Sequence, residues 1–295
     1  MEIHFEIDDR CMLRCRHCSS MASEFGNTMK YSEQDMIRLL KNIKERKEVF
    51  LTGGEPLLYE NLESLLKHLQ TEIEDIRLGL FTTGIIVNKT GNISAISKKY
   101  ASTLAKCGLE VCYLSVYSHI EAEHDWMTRS LGSFRMLNES ITNLQEMGIE
   151  IRFNSVVTKR NIRFFEGIIK MAEVRNVTEV RILKLIKQGR AVNCWEEIGI
   201  TEEQYRRVIL DVMHKKEKIR ITASGVVDIL PCRENCYNQC PAGNGLIYVT
   251  NVGEIFPCAS VKRKEEYRIA NIKELGIEKK REEFLKKLSG KMLCC

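Results

Sequence analysis

Three cysteines lie close together near the start of the chain, in the stretch CMLRCRHC that runs from Cys11 through Cys15 to Cys18. Three thiols cannot all pair with one another, and they are one ligand short of a closed tetrahedral metal site. Because cysteine thiolates are the usual ligands of iron–sulfur clusters, the spacing favours a cluster in which one iron has no protein ligand. A zinc site is the alternative for this motif taken alone.

A second motif that could do chemistry is Gly53-Gly54-Glu55-Pro56, which directly follows the short apolar run VFLT at 49–52. Adjacent glycines let the backbone approach a ligand closely, and a carboxylate is a natural partner for an ammonium group. The same four residues would also make an ordinary turn, so the motif needs the support of its surroundings.

Most of the other cysteines lie late in the chain. They are Cys232, Cys236, Cys240, Cys258, Cys294 and Cys295. In a reducing compartment, clustered cysteines more often bind metal or react than form disulfides, and a structural zinc knuckle is the alternative for this group. The scattered Cys107, Cys112 and Cys194 are interpreted as small buried hydrophobic residues.

Alternating strand and helix patterns position both motifs. Strands are predicted at 2–7, 49–52, 77–83, 110–116, 149–153 and 179–185, and helices after Ser32, near 62–69, over 93–106, near 137–147 and near 165–172. Such alternation predicts an α/β fold with a parallel sheet. Six units are too few to close an eight-stranded barrel, so a partial (β/α)6 TIM barrel is expected. Both motifs then fall at the carboxyl ends of strands, where such folds bind ligands.

The pattern changes near residue 190, and the chain divides into three predicted parts. Residues 1–200 form the partial barrel, 201–230 a linking helix and strand, and 231–295 a small β-hairpin and helix domain that contains the late cysteines. Within the last part, LIYVTNVGEIFP at 246–257 predicts two short strands around an Asn-Val-Gly turn.

Composition excludes several classes of function. The chain has 295 residues, 44% of them hydrophobic, which suits one large domain or one large and one small domain. A net charge of +5 is too mild to argue for nucleic acid. No apolar stretch approaches the length of a membrane span, and the N-terminus lacks a signal-peptide pattern. We therefore expect a cytoplasmic protein.

Together, the three-cysteine motif and GGEP resemble the signature of the radical SAM superfamily. The resemblance implies a 4Fe–4S cluster on Cys11, Cys15 and Cys18, with S-adenosylmethionine on the open iron. One electron then cleaves the sulfonium, and the resulting 5′-deoxyadenosyl radical abstracts a substrate hydrogen. The implied cofactor-binding residues are His17, Gly53, Gly54, Glu55, Ser115, Asn154 and Arg190. This chain has Ser115-Val116-Tyr117-Ser118 where relatives often continue Ser-x-Asp-Gly, so the aspartate has no counterpart here.

The late cysteines resemble the SPASM/twitch extension of that superfamily. Too few cysteines are present for the two-cluster form, so the resemblance implies a shortened form with one auxiliary 4Fe–4S cluster. Cys240 and Cys258 are its expected ligands, with Cys232 or Cys236 as the third and Cys294 or Cys295 as the fourth.

The resemblance also implies substrate and partners. The first interpretation is modification of a ribosomally made peptide, by crosslinking, thioether formation, epimerisation or oxidation. The second is radical chemistry on a small molecule such as a nucleotide, sugar or porphyrin. A non-enzymatic zinc or redox-sensing protein is the third. A flavodoxin or ferredoxin is the expected reductant. Because the motif starts at residue 11, a separate protein is expected to bind any leader peptide.

Overall fold

The computed structural model describes residues 1–88, 91–213, 219–225 and 241–288. The strands are β1 (Glu2–Asp8), β2 (Lys47–Gly53), β3 (Ile76–Thr82), β4 (Ile85–Val87), β5 (Ile93–Ala95), β6 (Leu109–Ser115), β7 (Glu150–Val156), β8 (Glu179–Leu183), β9 (Arg220–Ala223), β10 (Leu246–Val249), β11 (Glu254–Phe256) and β12 (Ala270–Asn271). The helices are α1 (Glu33–Asn42), α2 (Leu62–Glu72), α3 (Lys98–Lys106), α4 (Glu121–Thr128), α5 (Ser133–Glu146), α6 (Phe165–Val174), α7 (Trp195–Ile198), α8 (Glu202–Met213) and α9 (Ile277–Leu288).

One long sheet organises the described residues, with strand order β12-β11-β10-β1-β2-β3-β6-β7-β8-β9. The six strands from β1 to β8 in this order pair in parallel, with helices in the connections. The predicted α/β partial barrel is therefore confirmed. Its two edges are extended by β10, which pairs in parallel with β1, and by β9, which pairs in parallel with β8.

The sheet is strongly curved, because side chains from its first and sixth parallel strands meet inside it. Arg181 of β8 donates to the carboxylate of Glu2 on β1 at 2.8 Å and to the hydroxyl of Tyr113 on β6 at 2.7 Å. On β1, Ile3 and Phe5 are fully buried in the main hydrophobic core beneath the helices. Because successive side chains of a strand point to opposite faces of the sheet, Glu2 and His4 instead face the barrel interior, where His4 packs against Phe50 and Phe81.

The C-terminal hairpin belongs to the same sheet. Strands β10 and β11 pair antiparallel on either side of the predicted turn. Through β10 this hairpin continues the barrel sheet next to β1. The helix and strand predicted within 201–230 correspond to α8 and β9.

The predicted helix over 93–106 is wrong in its first part. Residues Ile93–Ala95 form β5, which pairs antiparallel with β4, and α3 begins only at Lys98. The side chain of Ser97 accepts a hydrogen bond from the Tyr100 backbone N–H at 3.2 Å, which caps α3 and fixes its start.

A cluster of ion pairs at the amino ends of the strands predicts an acid-sensitive barrel. Burial opposes ionisation of Glu150, but hydrogen bonds from Arg152 and Thr178 lower the pKa of this carboxyl to about 2. A lowered pKa contributes stability that is present above the ordinary value of 4.5 and is lost as the pH falls towards about 2. We expect the free energy of unfolding, measured in urea, to decline over that range. The decline should be smaller in Glu150→Gln and unchanged in Glu139→Gln, which alters an exposed carboxyl of α5. Equal pH slopes in Glu150→Gln and the unmodified protein would contradict this assignment.

Candidate active site

The three-cysteine loop lies at the carboxyl end of β1. Cys11 and Cys15 are each 6% exposed, whereas Cys18 is partly exposed. Burial, followed by the nearby Cys18, raises the pKa of Cys15 to about 12, while Arg190 opposes the shift. Burial likewise raises the pKa of Cys11, and both other cysteines of the loop contribute. The three thiols therefore lie within electrostatic reach of one another, and ionising them together requires a compensating positive charge.

The glycines at the end of β2 hold this loop at short range. The backbone N–H of Gly54 donates to the Asp8 carbonyl and that of Glu55 to the Arg10 carbonyl, each at 2.8 Å. A Cβ atom on Gly53 would stand 1.8 Å from the Asp8 carbonyl oxygen, and its φ of +142° suits only glycine. The GGEP segment is thus fastened to the backbone immediately before the first cysteine.

The carboxylate of Glu55 is buried and faces β3. It accepts hydrogen bonds from the Thr82 hydroxyl at 2.5 Å, from the Thr83 N–H and hydroxyl at 2.8 and 2.6 Å, and from the Leu57 N–H at 3.2 Å. Burial raises the pKa of Glu55, and these bonds counteract the shift. A carboxylate has about four acceptor positions, and the protein fills four here. The side chain therefore braces β2 against β3 from beneath the glycines.

The segment after β8 closes over the other side of the cysteine loop. The guanidinium of Arg190 donates from Nε to the Cys15 carbonyl and from Nη1 to the Ala22 carbonyl, each at 2.8 Å. Its backbone N–H donates to the Cys18 carbonyl at 3.0 Å. Gly189 has φ +58°, and a Cβ atom there would lie 2.3 Å from the same Cys18 carbonyl oxygen. This contact between distant segments was not predicted from the sequence.

Polar atoms without a hydrogen-bond partner occur in the cysteine loop and near the carboxyl end of β7. The Nδ1 atom of His17 and the Oδ1 atom of Asn154 are buried and have no hydrogen-bond partner. Ser115 and Asn154 are register neighbours on β6 and β7. The His17 ring lies 4.6 Å from that of Tyr117. Burial, followed by the charge of Arg190, lowers the pKa of His17 to about 4, so its ring is neutral near pH 7.

Sequence reasoning missed Tyr117, although the signal was present as the departure from Ser-x-Asp-Gly. Its side chain is only 6% exposed. Burial raises the pKa of its hydroxyl, the neighbouring Cys15 raises this pKa as well, and Ser115 opposes the shift. A tyrosine thus stands between the β6 rim and the cysteine loop.

The C-terminal segment reaches the cysteine loop through Lys262. Its buried ammonium donates to the Ser20 hydroxyl at 2.8 Å, to the Tyr248 hydroxyl at 3.2 Å and to the carboxylate of Glu6. Arg263 adds a bond to the Ser20 carbonyl at 3.0 Å. The hairpin is therefore fixed directly to the loop two residues past Cys18.

The structure describes one of the six predicted ligands of the auxiliary cluster. Cys258 follows β11, is 9% exposed and packs with Ala242 and Val261. The other five predicted ligands lie outside the described residues. They are Cys232, Cys236, Cys240, Cys294 and Cys295.

The scattered cysteines are buried, as predicted. Cys107 and Cys112 belong to the main hydrophobic core beneath the helices and so face away from the barrel interior. Cys194 packs behind the cysteine loop, with its Sγ 3.4 Å from the Arg16 carbonyl oxygen. None of these three therefore lines the barrel interior as a thiol hydrogen donor would.

Comparison with known proteins decides the family. The profile of the Radical SAM superfamily matches residues 5–172, which include the cysteine loop, GGEP and strands β2 to β7. The chain belongs to the radical SAM superfamily. It is thus an enzyme of this superfamily, whose members use a 4Fe–4S cluster and S-adenosylmethionine.

Individual radical SAM relatives differ in what they act on. The chain is 24% identical over 278 residues to the AdoMet-dependent heme synthase of Oleidesulfovibrio alaskensis, covering 87% of this chain and 69% of that protein. It is 25% identical over 264 residues to the mycofactocin maturase MftC of Mycobacterium ulcerans, covering 86% and 67%.

The fold is similar to that of Streptococcus suis SuiB. The structure of SuiB bound to S-adenosylmethionine superimposes with a TM-score of 0.67 and 16% identity, covering 94% of this chain and 64% of SuiB. SuiB has also been solved with its precursor peptide SuiA, with a TM-score of 0.65 to this chain. This chain therefore spans somewhat less than two thirds of SuiB.

The residues present fit the cofactors of the radical SAM family. Cys11 and Cys15 are buried and Cys18 is partly exposed, so one loop offers three thiols of the kind that ligate iron–sulfur clusters. Among the described side chains, no three His, Cys, Asp or Glu residues are grouped as ligands of a single metal ion. The orphaned polar atoms of His17 and Asn154 are available to a polar ligand at the rim. No helix among the described residues is long and apolar enough to cross a membrane.

Proposed function

We propose that this chain cleaves S-adenosylmethionine reductively and uses the product to abstract a hydrogen atom from a ribosomally made peptide. The observation that carries the proposal is the three-cysteine loop, with Cys11 and Cys15 buried, held between the GGEP glycines and the Gly189–Arg190 segment. When bound, the cluster supplies the electron that breaks the sulfonium bond. The chain's own residues hold the loop, exclude water from it and present polar atoms at the rim.

Each rim residue has a proposed role. Cys11, Cys15 and Cys18 hold the cluster. The close approach of Gly53 and Gly54 shapes the edge where the methionine end of S-adenosylmethionine binds, and Glu55 fixes that edge through Thr82 and Thr83. Three more residues serve S-adenosylmethionine at the rim beside the loop: His17 would pack near its base, and Ser115 and Asn154 would bind its polar groups.

The described C-terminal segment supports a peptide substrate. Its hairpin extends the barrel sheet beyond β1, and the fold similarity to SuiB covers 94% of the chain. We propose that Cys240 and Cys258 hold one auxiliary 4Fe–4S cluster, with Cys232 or Cys236 as the third ligand and Cys294 or Cys295 as the fourth. A flavodoxin or ferredoxin is the proposed reductant, and a separate protein would bind the leader of the peptide.

A small-molecule substrate is the second candidate. It is favoured by the identity of 24% with an AdoMet-dependent heme synthase across 87% of this chain.

Isotope transfer tests both candidates in one experiment. The anaerobically reconstituted enzyme is incubated with S-adenosylmethionine and dithionite, together with either a deuterated bacterial peptide pool or a deuterated, peptide-free metabolite pool. We expect 5′-deoxyadenosine to form and to carry deuterium from the peptide pool. Deuterium from the metabolite pool alone would overturn the peptide assignment, and absence of 5′-deoxyadenosine would overturn the whole proposal.

A further inference from the structure

Arg190 has an unusual setting for a partly buried arginine. No ion pair with a carboxylate involves it within the described part of the chain, although most other buried arginines of the barrel have such a partner. Its guanidinium is instead committed to the carbonyls of Cys15 and Ala22, which flank the third cysteine. A partly buried cation without an acidic partner is costly unless another negative group compensates it.

The compensating group is the cysteine loop itself when it holds its cluster. Three thiolates bring negative charge to this loop, and adding an electron to the cluster increases that charge. A fixed cation beside the loop therefore favours the reduced state, since nearby charge and hydrogen bonding set the potentials of iron–sulfur clusters. Gly189 permits this placement, because any side chain there would collide with the Cys18 and Ser19 carbonyls.

We propose that Arg190 is a positioning residue with two separable roles. Its planar fork clamps the cysteine loop, and its charge makes the cluster easier to reduce. The inference rests on the proposed function, because it requires that the loop binds a cluster. It differs from the sequence prediction, in which Arg190 serves S-adenosylmethionine.

Two substitutions separate the planar geometry of the Arg190 guanidinium from its positive charge. Arg190→Lys keeps the charge but cannot bridge two carbonyls with a planar group. Arg190→Gln removes the charge and keeps an amide donor. Arg14→Gln is the matched control, because Arg14 lies in the same loop between Cys11 and Cys15 but is exposed and paired with Glu24 at 2.7 Å.

Two measurements are made on the reconstituted proteins. Release of iron to a chelator reports the clamp, and we expect it to be about tenfold faster in both Arg190 variants and unchanged in Arg14→Gln. An EPR-monitored redox titration reports the charge. We expect reduction to become about tenfold less favourable in Arg190→Gln, equivalent to about 59 mV for a one-electron couple, and to stay close to the unmodified value in Arg190→Lys.

Each role can fail on its own. An unchanged potential in Arg190→Gln overturns the charge role, and unchanged iron release in both variants overturns the clamp. If Arg190→Gln does not fold, the reduction potential of Arg190→Lys becomes the test. A fall of about 59 mV in this variant, which keeps the charge, overturns the charge role. Failure of the proposed function looks different, because the unmodified protein would then bind no iron at the loop and make no 5′-deoxyadenosine.

Discussion

Replacing Cys11, Cys15 and Cys18 together by alanine is expected to reduce S-adenosylmethionine cleavage to background. Among the described residues, this loop contains these three cysteines and no other. Alanine offers no ligand to iron. Iron content after anaerobic reconstitution should fall by about four atoms per chain, the content of one 4Fe–4S cluster. Iron and sulfide analysis, together with quantification of 5′-deoxyadenosine, measures both effects.

Cys112→Ala is the matched control for this triple variant. Cys112 is fully buried on β6 but faces the helices rather than the loop. We expect it to lower thermal stability and to leave iron content and cleavage intact. Continued 5′-deoxyadenosine formation by the triple variant would show that the cluster is held elsewhere. If the unmodified protein starts with about eight irons, the four that remain in the triple variant belong to the late cysteines.

Replacing Gly53 by alanine is expected to have the second-largest effect. The new Cβ would stand 1.8 Å from the Asp8 carbonyl oxygen, and backbone cannot yield as a flexible side chain can. The end of β2 must then separate from the residues that lead into the cysteine loop. We expect a loss of about 3 kcal/mol or more in the free energy of unfolding, as for other severe backbone conflicts, and markedly reduced iron uptake.

Gly148→Ala separates this collision from the cost of glycine's conformation alone. Gly148 also has positive φ, at +76°, but nothing lies within 4 Å of a Cβ placed on it. Its replacement should cost about 1 kcal/mol, the strain of a left-handed residue, without affecting iron uptake. Urea titrations and iron analysis of the two variants give the comparison. Similar results for both would mean that the β2 end tolerates displacement from Asp8.

Local patterns were enough to predict the barrel. The alternation of Ile3, Phe5 and Ile7 marks the helix-facing side of β1, and the capping box of Ser32 with Asp35 marks the start of α1. These signals lie within a few residues of the elements they define. The start of α3 was misplaced because Ile93 and Ala95 were assigned to the helix, although Ser97 carries the capping side chain.

The contacts that complete the site could not be predicted in the same way. Arg190 meets Cys15 across 175 positions of sequence, and Lys262 meets Ser20 across 242. Both contacts depend on how the sheet curves, and no local sequence pattern encodes that curvature. The acceptors of Arg190 are moreover backbone carbonyls, so the identity of the residues around Cys15 carries no signal for the contact. The ligands of the auxiliary cluster remain a prediction.

The parallel pairing of β1 with β10 has a consequence for how the chain matures. It joins Glu2 to Leu246, so β1 finds this partner only after the whole barrel between them has been synthesised. Until then one edge of β1 is unpaired, and the cysteine loop beside it lacks the bonds from Lys262 and Arg263. Exposed strand edges invite pairing with other chains, and contacts so distant in sequence form slowly. The topology therefore favours an order of assembly in which the cysteine loop stays open on this side until the C-terminal hairpin pairs with β1.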